Sequence, residues 1–258
     1  MIKAIDNLKN DIKDYLVKKG CCLKNLRKLL NLNFTDVTGK TYAVGKYDLP
    51  YITAKITKYP DYIALYDEKN NYRRTDKTCV SFYNYDVAFD GLLGIYNAIY
   101  YDVDELKSFY RDRFTGVKYF IAPDYSLCGD INHIENLHRL FRARIASVWL
   151  TLELNAMVIP NITYSEPKIF PNMLDGMENC EVVAFSTKGL RNNEKCLETM
   201  KNALKYTVDN LKKLRTIMIY TLSKNDEKIR SWFDYAVQHG IKLIIPDNRS
   251  RNLVLQEV

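Results

Sequence analysis

Apolar positions along the chain follow two periods. Short continuous runs recur at residues 61–66 (DYIALY), 79–85 (CVSFYNY), 117–122 (VKYFIA), 157–159 (MVI), 181–185 (EVVAF), 216–220 (TIMIY) and 242–245 (KLII), most of them rich in β-branched and aromatic residues. Between these runs apolar residues recur every three or four positions, as at Ile134, Leu137, Phe141, Ile145, Val148 and Leu152. The runs predict strands buried on both faces, and the longer spacing predicts amphipathic helices. Strands alternating with helices predict a parallel sheet.

Punctuation supports these boundaries. Pro123, Pro160 and Pro246 each follow an apolar run, where the missing N–H ends a strand ladder. Asp130 or Asn132 suits the cap of the long helix and Asn155 its stop, and Asn225 or Asp226 suits the cap of a later helix that Gly240 ends. Further helices are predicted over 102–114 and 194–212. Residues 33–60 carry Gly39, Gly45, Pro50 and Pro60 with little periodicity, which predicts a loop-rich connector. Ahead of it, Ile5, Leu8, Ile12 and Leu16 space one helical face, and Leu23, Leu26, Leu29 and Leu30 space another beyond Gly20.

The chain therefore divides into a helical extension and connector, residues 1–57, and an α/β domain, residues 58–258. The expected architecture is a (β/α) barrel-like domain, TIM-barrel-like, either eight-fold or an incomplete version of that ring. A doubly wound open sheet is the alternative.

Composition narrows the function classes. At 258 residues the chain is long enough for a large core, and its hydrophobic content of 47% is that of an ordinary globular protein. No apolar run approaches the roughly 18–20 residues of a membrane span. The start, MIKAIDNLKND, alternates charge and lacks an apolar signal region, so the expected location is the cytoplasm. Cys21, Cys22, Cys79, Cys128, Cys180 and Cys196 form no metal-ligand spacing, which favours reduced core thiols over zinc. Net charge is +7, a balance that permits contact with nucleic acid without demanding it. Eight Lys or Arg against three Asp in residues 1–32 make the extension basic; it either touches a phosphate backbone or is a solvated face over the barrel bottom or a partner. Twenty tyrosines fit an AT-rich coding bias, and tyrosine also stacks on bases and anchors interfaces.

In parallel α/β folds, ligands bind beyond the carboxyl ends of the strands. The polar residues found there are Asp86, Asp90, Asp124, Ser126, Asn161, Thr163, Glu166, Ser186, Thr187, Lys188, Ser223, Asp247 and Asn248. Asp86, Asp124 and Glu166 are the candidate catalytic carboxylates, as acid and base on a sugar or nucleotide. Asp86 and Asp124 are also the candidate ligands of Mg²⁺ or Mn²⁺, which prefer carboxylate oxygens. Ser126, Asn161, Ser186 and Lys188 are candidate substrate-binding residues. Arg139 and Arg142 join them, because they share a helix face and suit a phosphate. Asp, Asn, Ser and Thr also cap helices and fill turns, a reading that weighs most on Ser186, Thr187, Ser223 and Asn248. Ser186 and Lys188 match no nucleophile motif, no complete P-loop is present, and Trp149 and Trp232 occupy core-like helical positions.

The segments FYNYDVAF (82–89), PDYS (123–126), Arg144 with Trp149, VIPNITY (158–164), LDGM (174–177) and VAFSTKG (183–189) resemble the bacterial, phage and plasmid proteins grouped as domain of unknown function 4417, over roughly residues 78–225. Tyr164 stands where that family has tryptophan and Leu174 where it has phenylalanine, which leaves the fold in place and puts fine substrate preference in question. The resemblance implies no activity. It implies a phage or mobile-element context, and with it replication, DNA handling or interference with host defence. The functional expectation is binding of nucleic acid or a nucleotide at the carboxyl rim, with metal-dependent processing as one form of it. The alternative is a non-catalytic interaction protein, such as a phage-encoded inhibitor of a host defence system acting on a host protein.

Overall fold

A computed structural model of the chain describes residues 2–19, 41–190 and 192–253. Ten strands are assigned: β1 (Ala43–Val44), β2 (Leu49–Pro50), β3 (Tyr62–Leu65), β4 (Thr78–Ser81), β5 (Tyr119–Ile121), β6 (Met157–Ile159), β7 (Val182–Ser186), β8 (Thr216–Tyr220), β9 (Lys242–Ile244) and β10 (Asp247–Asn248). The strands β3 to β10 form a five-stranded sheet, β10-β3-β4-β5-β6, and a three-stranded sheet, β7-β8-β9. Every pairing within these two sheets is parallel. The run β3-β4-β5-β6 proceeds without the order reversal of a doubly wound sheet.

Two features link the sheets. Beyond β6, Asn161 forms a parallel bridge to Ala184 of β7, with Ile162 N–H donating to Ala184 O at 2.9 Å and Ala184 N–H to Pro160 O at 2.8 Å. Beyond β9, the chain passes Ile245 and Pro246 and enters β10, so consecutive segments pair with β8 on one side and with β3 on the other.

Side chains alternate along each strand between two cores. In β3, Ile63 faces one core while Tyr62 and Ala64 face the other. Likewise Cys79 and Ile121 oppose Val80 and Phe120. Burial on both faces is why the strand sequences read as continuous apolar runs. The second core is dominated by stacked and edge-on rings, among them Tyr66, Phe82, Phe89 and Phe114. Into them reaches buried Arg113, whose guanidinium lies 4.8 Å from the Tyr66 ring centre and donates to Tyr66 O at 2.6 Å.

The helices are α1 (Ile2–Lys18), α2 (Ile95–Tyr100), α3 (Asp104–Phe114), α4 (His133–Leu154), α5 (Phe170–Leu174), α6 (Glu194–Asn210), α7 (Asp226–Trp232), α8 (Asp234–Gln238) and α9 (Arg249–Leu253). None is long and apolar enough to cross a membrane among the described residues. Asn155 ends α4 in the left-handed conformation, φ 49°, and the Asn225 side chain caps α7. The helix expected over 226–238 breaks at Phe233, which is buried. The stripe expected on α4 holds only in its middle: Ile134 is 68% exposed and Leu152 55% exposed, whereas every residue from Arg144 to Leu150 is buried. The centre of α4 is covered on several sides, by β6, α2 and β2, so no single stripe describes it.

That cover comes from the connector, which is more ordered than its composition predicts. β1 and β2 form an antiparallel pair, and Leu49 is buried. The segment after them runs beside residues 176–181, with Ile52 N–H donating to Gly176 O at 2.9 Å and Glu181 N–H to Ala54 O at 2.8 Å. Buried Arg144 braces the same loop from beneath by donating Nη2 to Met173 O at 2.9 Å. Burial pulls its pKa down to about 10, and the nearby Asp175 and Glu178 carboxylates oppose the fall. α1 packs its buried Ile12 and Leu16 into the aromatic core, and Tyr15 donates to Asp112 of α3 at 2.8 Å. Lys13, Lys18 and Lys19 on the same helix remain exposed. The second helix expected in residues 1–32 lies outside the described residues, as do Cys21 and Cys22. Of the other thiols Cys79 and Cys180 are buried, while Cys196 is exposed and Cys128 half-exposed, so only two are core thiols.

Gly176 joins the connector to the LDGM loop, and its geometry generates a test. It holds φ +77°, and an added Cβ would lie 2.7 Å from Val44 Cγ2 and 3.1 Å from Tyr51 Cα. Gly176→Ala should destabilise the protein by about 1–3 kcal/mol in urea unfolding, through left-handed strain and collision with the connector. Asn155→Gly, at a left-handed position with no such demand, should change stability by only a few tenths of a kcal/mol. Equal effects at the two sites would contradict the close approach at Gly176.

Candidate active site at the carboxyl edge

Three strands deliver one hydrogen-bonded cluster. Pro123 ends the segment after β5 and fixes the approach to Asp124. Pro160 does the same ahead of Asn161, whose backbone is already held by the bridge to β7. Tyr83 follows β4 and is buried, its ring stacked 4.9 Å from that of Tyr220. The Tyr83 hydroxyl donates to Asn161 Oδ1 at 2.7 Å. Asn161 Nδ2 donates to Asp124 Oδ1 at 2.7 Å and to Thr163 Oγ1 at 2.8 Å, and the Thr163 hydroxyl donates to the same Asp124 oxygen at 3.0 Å. One consistent set of protons accounts for all four hydrogen bonds. Among the described residues no hydrogen bond reaches Asp124 Oδ2.

Asp124 is half-buried, with protein packed around most of its carboxyl. Desolvation pushes its pKa up to about 6; the hydrogen bonds from Thr163 and Asn161 and the Lys188 ammonium pull down, while the Asp86 charge pushes up. Burial also raises Tyr83 and Tyr164, and the Asp124 charge adds to both. Lys188 is lowered by desolvation, against the attraction of Asp124 and Asp67. Its ammonium donates to Tyr83 O at 2.8 Å and lies 5.5 Å from the centre of the exposed Tyr85 ring. A carboxyl that exchanges its proton near neutrality, beside a lysine, is suited to general acid–base work.

The other sequence candidates fall into neighbouring groups. Asp86 accepts from Ser126 N–H at 3.1 Å and Ser126 Oγ–H at 3.0 Å, and Arg139 donates to Ser126 O. Both candidate arginines are ion-paired: Arg139 with Glu135 at 3.0 Å, and Arg142 with Asp90 at 2.5 Å while stacking 4.7 Å from the Tyr125 ring centre. Glu166 pairs with Lys168 at 2.5 Å and does not join the Asp124 cluster. Ser186 Oγ accepts from Lys188 N–H at 3.2 Å, Ser223 Oγ from Asn225 N–H at 3.1 Å, and buried Asn248 bridges Thr221 O and Arg251 N–H. Asp247 accepts from Asn248 N–H and Asn252 Nδ2. Among the described residues no group of three or more His, Cys, Asp or Glu is gathered in a way that could hold a metal ion. Both Asp86 oxygens accept from Ser126, and no third His, Cys, Asp or Glu joins the expected Asp86–Asp124 pair among the described residues.

Sequence reasoning missed two residues here. Tyr83 lies just past β4, where the same strand-end rule applies, but its ring sits inside the apolar run CVSFYNY and so resembles core. Asp67 lies just past β3 and its charge acts on Lys188; its Oδ1 is shielded from solvent without a partner among the described residues.

The raised Asp124 pKa has a measurable stability signature. The folded protein holds this proton up to about pH 6, the unfolded chain only to about pH 4. Between those values the folded state binds more protons, so stability falls as pH rises through the window. Asp124→Asn cannot ionise and keeps an acceptor for Asn161 and Thr163. In urea unfolding the variant should match the wild type near pH 4 and exceed it by about 1–2 kcal/mol at pH 7, an amount reduced from the full shift by the solvent-facing edge. A variant less stable at pH 7 would mean that the ionised carboxylate is held favourably by its partners.

Comparison with known proteins places the chain in a family. No curated protein and no solved structure matches the chain. Residues 41–236 match the family described as Domain of unknown function (DUF4417), a span that starts at the connector and takes in Tyr83, Asp124, Asn161, Thr163 and Lys188. With most of its length covered by that match, the chain belongs to the family of proteins carrying Domain of unknown function (DUF4417).

Proposed function

We propose that the carboxyl edge binds a phosphate-bearing ligand, nucleic acid or a nucleotide, and that Asp124 transfers a proton to or from it. The observation that carries this is the Asp124 carboxyl, raised to about 6, with Oδ2 open and Lys188 alongside. Exposed Tyr85 next to Lys188 supplies a stacking face beside a cation, the pairing used on single strands. The net charge of +7 and the mobile-element context implied by the resemblance agree with such a ligand. The donor set fits a divalent metal poorly, so the proton-transfer role rests on Asp124 itself.

The same reading includes a barrel-like arrangement of the two sheets. Its support is the Asn161–Ala184 bridge on one side and the β9–β10 continuity on the other. In such a ring the ends of β3, β4, β5, β6 and β7 share one rim, which is where Asp67, Tyr83, Asp124, Asn161 and Lys188 stand.

A second reading has its own observation. Tyr85 is 59% exposed and Val87 56% exposed on this edge, an aromatic and an aliphatic side chain available to a host protein. A non-catalytic inhibitor would use them and ignore the Asp124 proton.

Gel shifts with single- and double-stranded DNA and RNA separate the readings. Binding should weaken with salt; Lys188→Ala should lower the salt slope by about 1, and Tyr85→Ala should weaken binding about tenfold. Asp124→Asn should retain binding while abolishing any processing of the bound strand. No shift at low salt with any probe, and full biological activity of Asp124→Asn, would replace this reading with the inhibitor.

A further inference from the structure

The chain holds a second feature at the same edge that the Asp124 cluster does not use. A cavity of about 580 Å³ opens beyond the carboxyl ends of β7 and β8, lined on one side by Thr187, Lys188 and Gly189 and on the other by residues 221–225 with Lys228, Ile229 and Trp232. Its size is that of a small-molecule pocket. Three of its lining residues are lysines, Lys188, Lys224 and Lys228, and none is a carboxylate. Some basic side chains elsewhere are paired, such as Arg111 with Glu153, Arg142 with Asp90 and Arg251 with Asp226. Among the described residues none of the three cavity lysines has a salt bridge. Lys188 feels the charges of Asp124 and Asp67, but Lys224 and Lys228 have no carboxylate partner in the cavity lining, so an anion there gains two cations.

The rest of the lining defines what the anion is attached to. Trp232, expected as packing, is half-buried and lines the cavity, with the Lys228 ammonium 5.9 Å from its ring centre. Leu222, 38% exposed, and buried Ile229 extend the apolar wall. Ser223 Oγ is the acceptor in its turn, which leaves its proton to donate. A cationic end and an indole wall within one cavity match a ligand with a phosphate at one end and a planar ring at the other.

We propose that this cavity binds a nucleoside monophosphate unit, its phosphate held by Lys224, Lys228 and Ser223 and its base against Trp232. The proposal rests on the reading of the edge as a phosphate-ligand site and narrows it. Lys188 lines the cavity and also borders Asp124, so a nucleotide seated there lies next to the titrating carboxyl.

The test is titration of the full chain with each of the four ribonucleoside monophosphates, and with inorganic phosphate, followed by tryptophan fluorescence and calorimetry. Trp149 is buried in the other core, so Trp232 should carry the change. At least one nucleotide should alter the fluorescence, and the change should vanish in Trp232→Phe. In Lys224→Ala/Lys228→Ala, both exposed positions, circular dichroism should be unchanged and the affinity should fall about tenfold or more. Nucleotide affinity unchanged in that double variant but lowered in Lys188→Ala would overturn the cavity and leave the Asp124 edge as the site. Inorganic phosphate binding as tightly as every nucleotide would overturn the role of Trp232, and with it the proposal. No binding of any of these probes would overturn the cavity site, whereas the gel shift judges the edge independently.

Discussion

The residue on which the site depends is Asn161. Its backbone is the seam between the two sheets, through the bridge to Ala184. Its side chain is the hub between Tyr83, Thr163 and Asp124. An amide suits this place because it donates and accepts at once. Tyr83 needs an acceptor and Asp124 needs donors, and one planar group supplies both without adding charge. The consequence is that sheet geometry and carboxyl geometry are one variable. A displacement of β6 against β7 moves the group that fixes Asp124.

Asp124 itself illustrates a balance of opposing effects. Two donors and a nearby ammonium favour the carboxylate, yet desolvation outweighs them and the pKa rises. This differs from the free, solvated rim carboxylate that its position past a strand end suggests. The distinction matters chemically, since a solvated aspartate is ionised at pH 7 and a poor proton donor.

The parts of this molecule legible in its sequence are those decided locally. The parallel strands β3 to β9 fall where continuous apolar runs end in proline or polar residues, because burial on both faces leaves no ambiguity of pattern. Asp124 and Asn161 were visible for the same reason: prolines mark where the chain leaves the sheet. What could not be read depends on partners distant in sequence. Arg142 presents a phosphate-binding cation until Asp90, more than fifty residues earlier, is brought against it. The connector lacks period because its pairing is with the LDGM loop and α4, whose covered centre likewise lost its stripe. The three cavity lysines come from two separate strand–helix units, and no spacing announces that they converge.

The pairing of β10 with β3 bears on how the chain acquires this structure. Asp247 and Asn248 lie beside Tyr62 and Ile63, so the first parallel strand of the sheet is completed by residues about 185 positions further along the chain. Until then the edge of β3 stays open, with unpaired amides and an aromatic core beneath it. A contact of such long range is slow to form, because the loop entropy is lost before the contact gives anything back. Until the segment around Asp247 is made and docked, the growing domain therefore carries an exposed strand edge, a surface prone to edge-to-edge association.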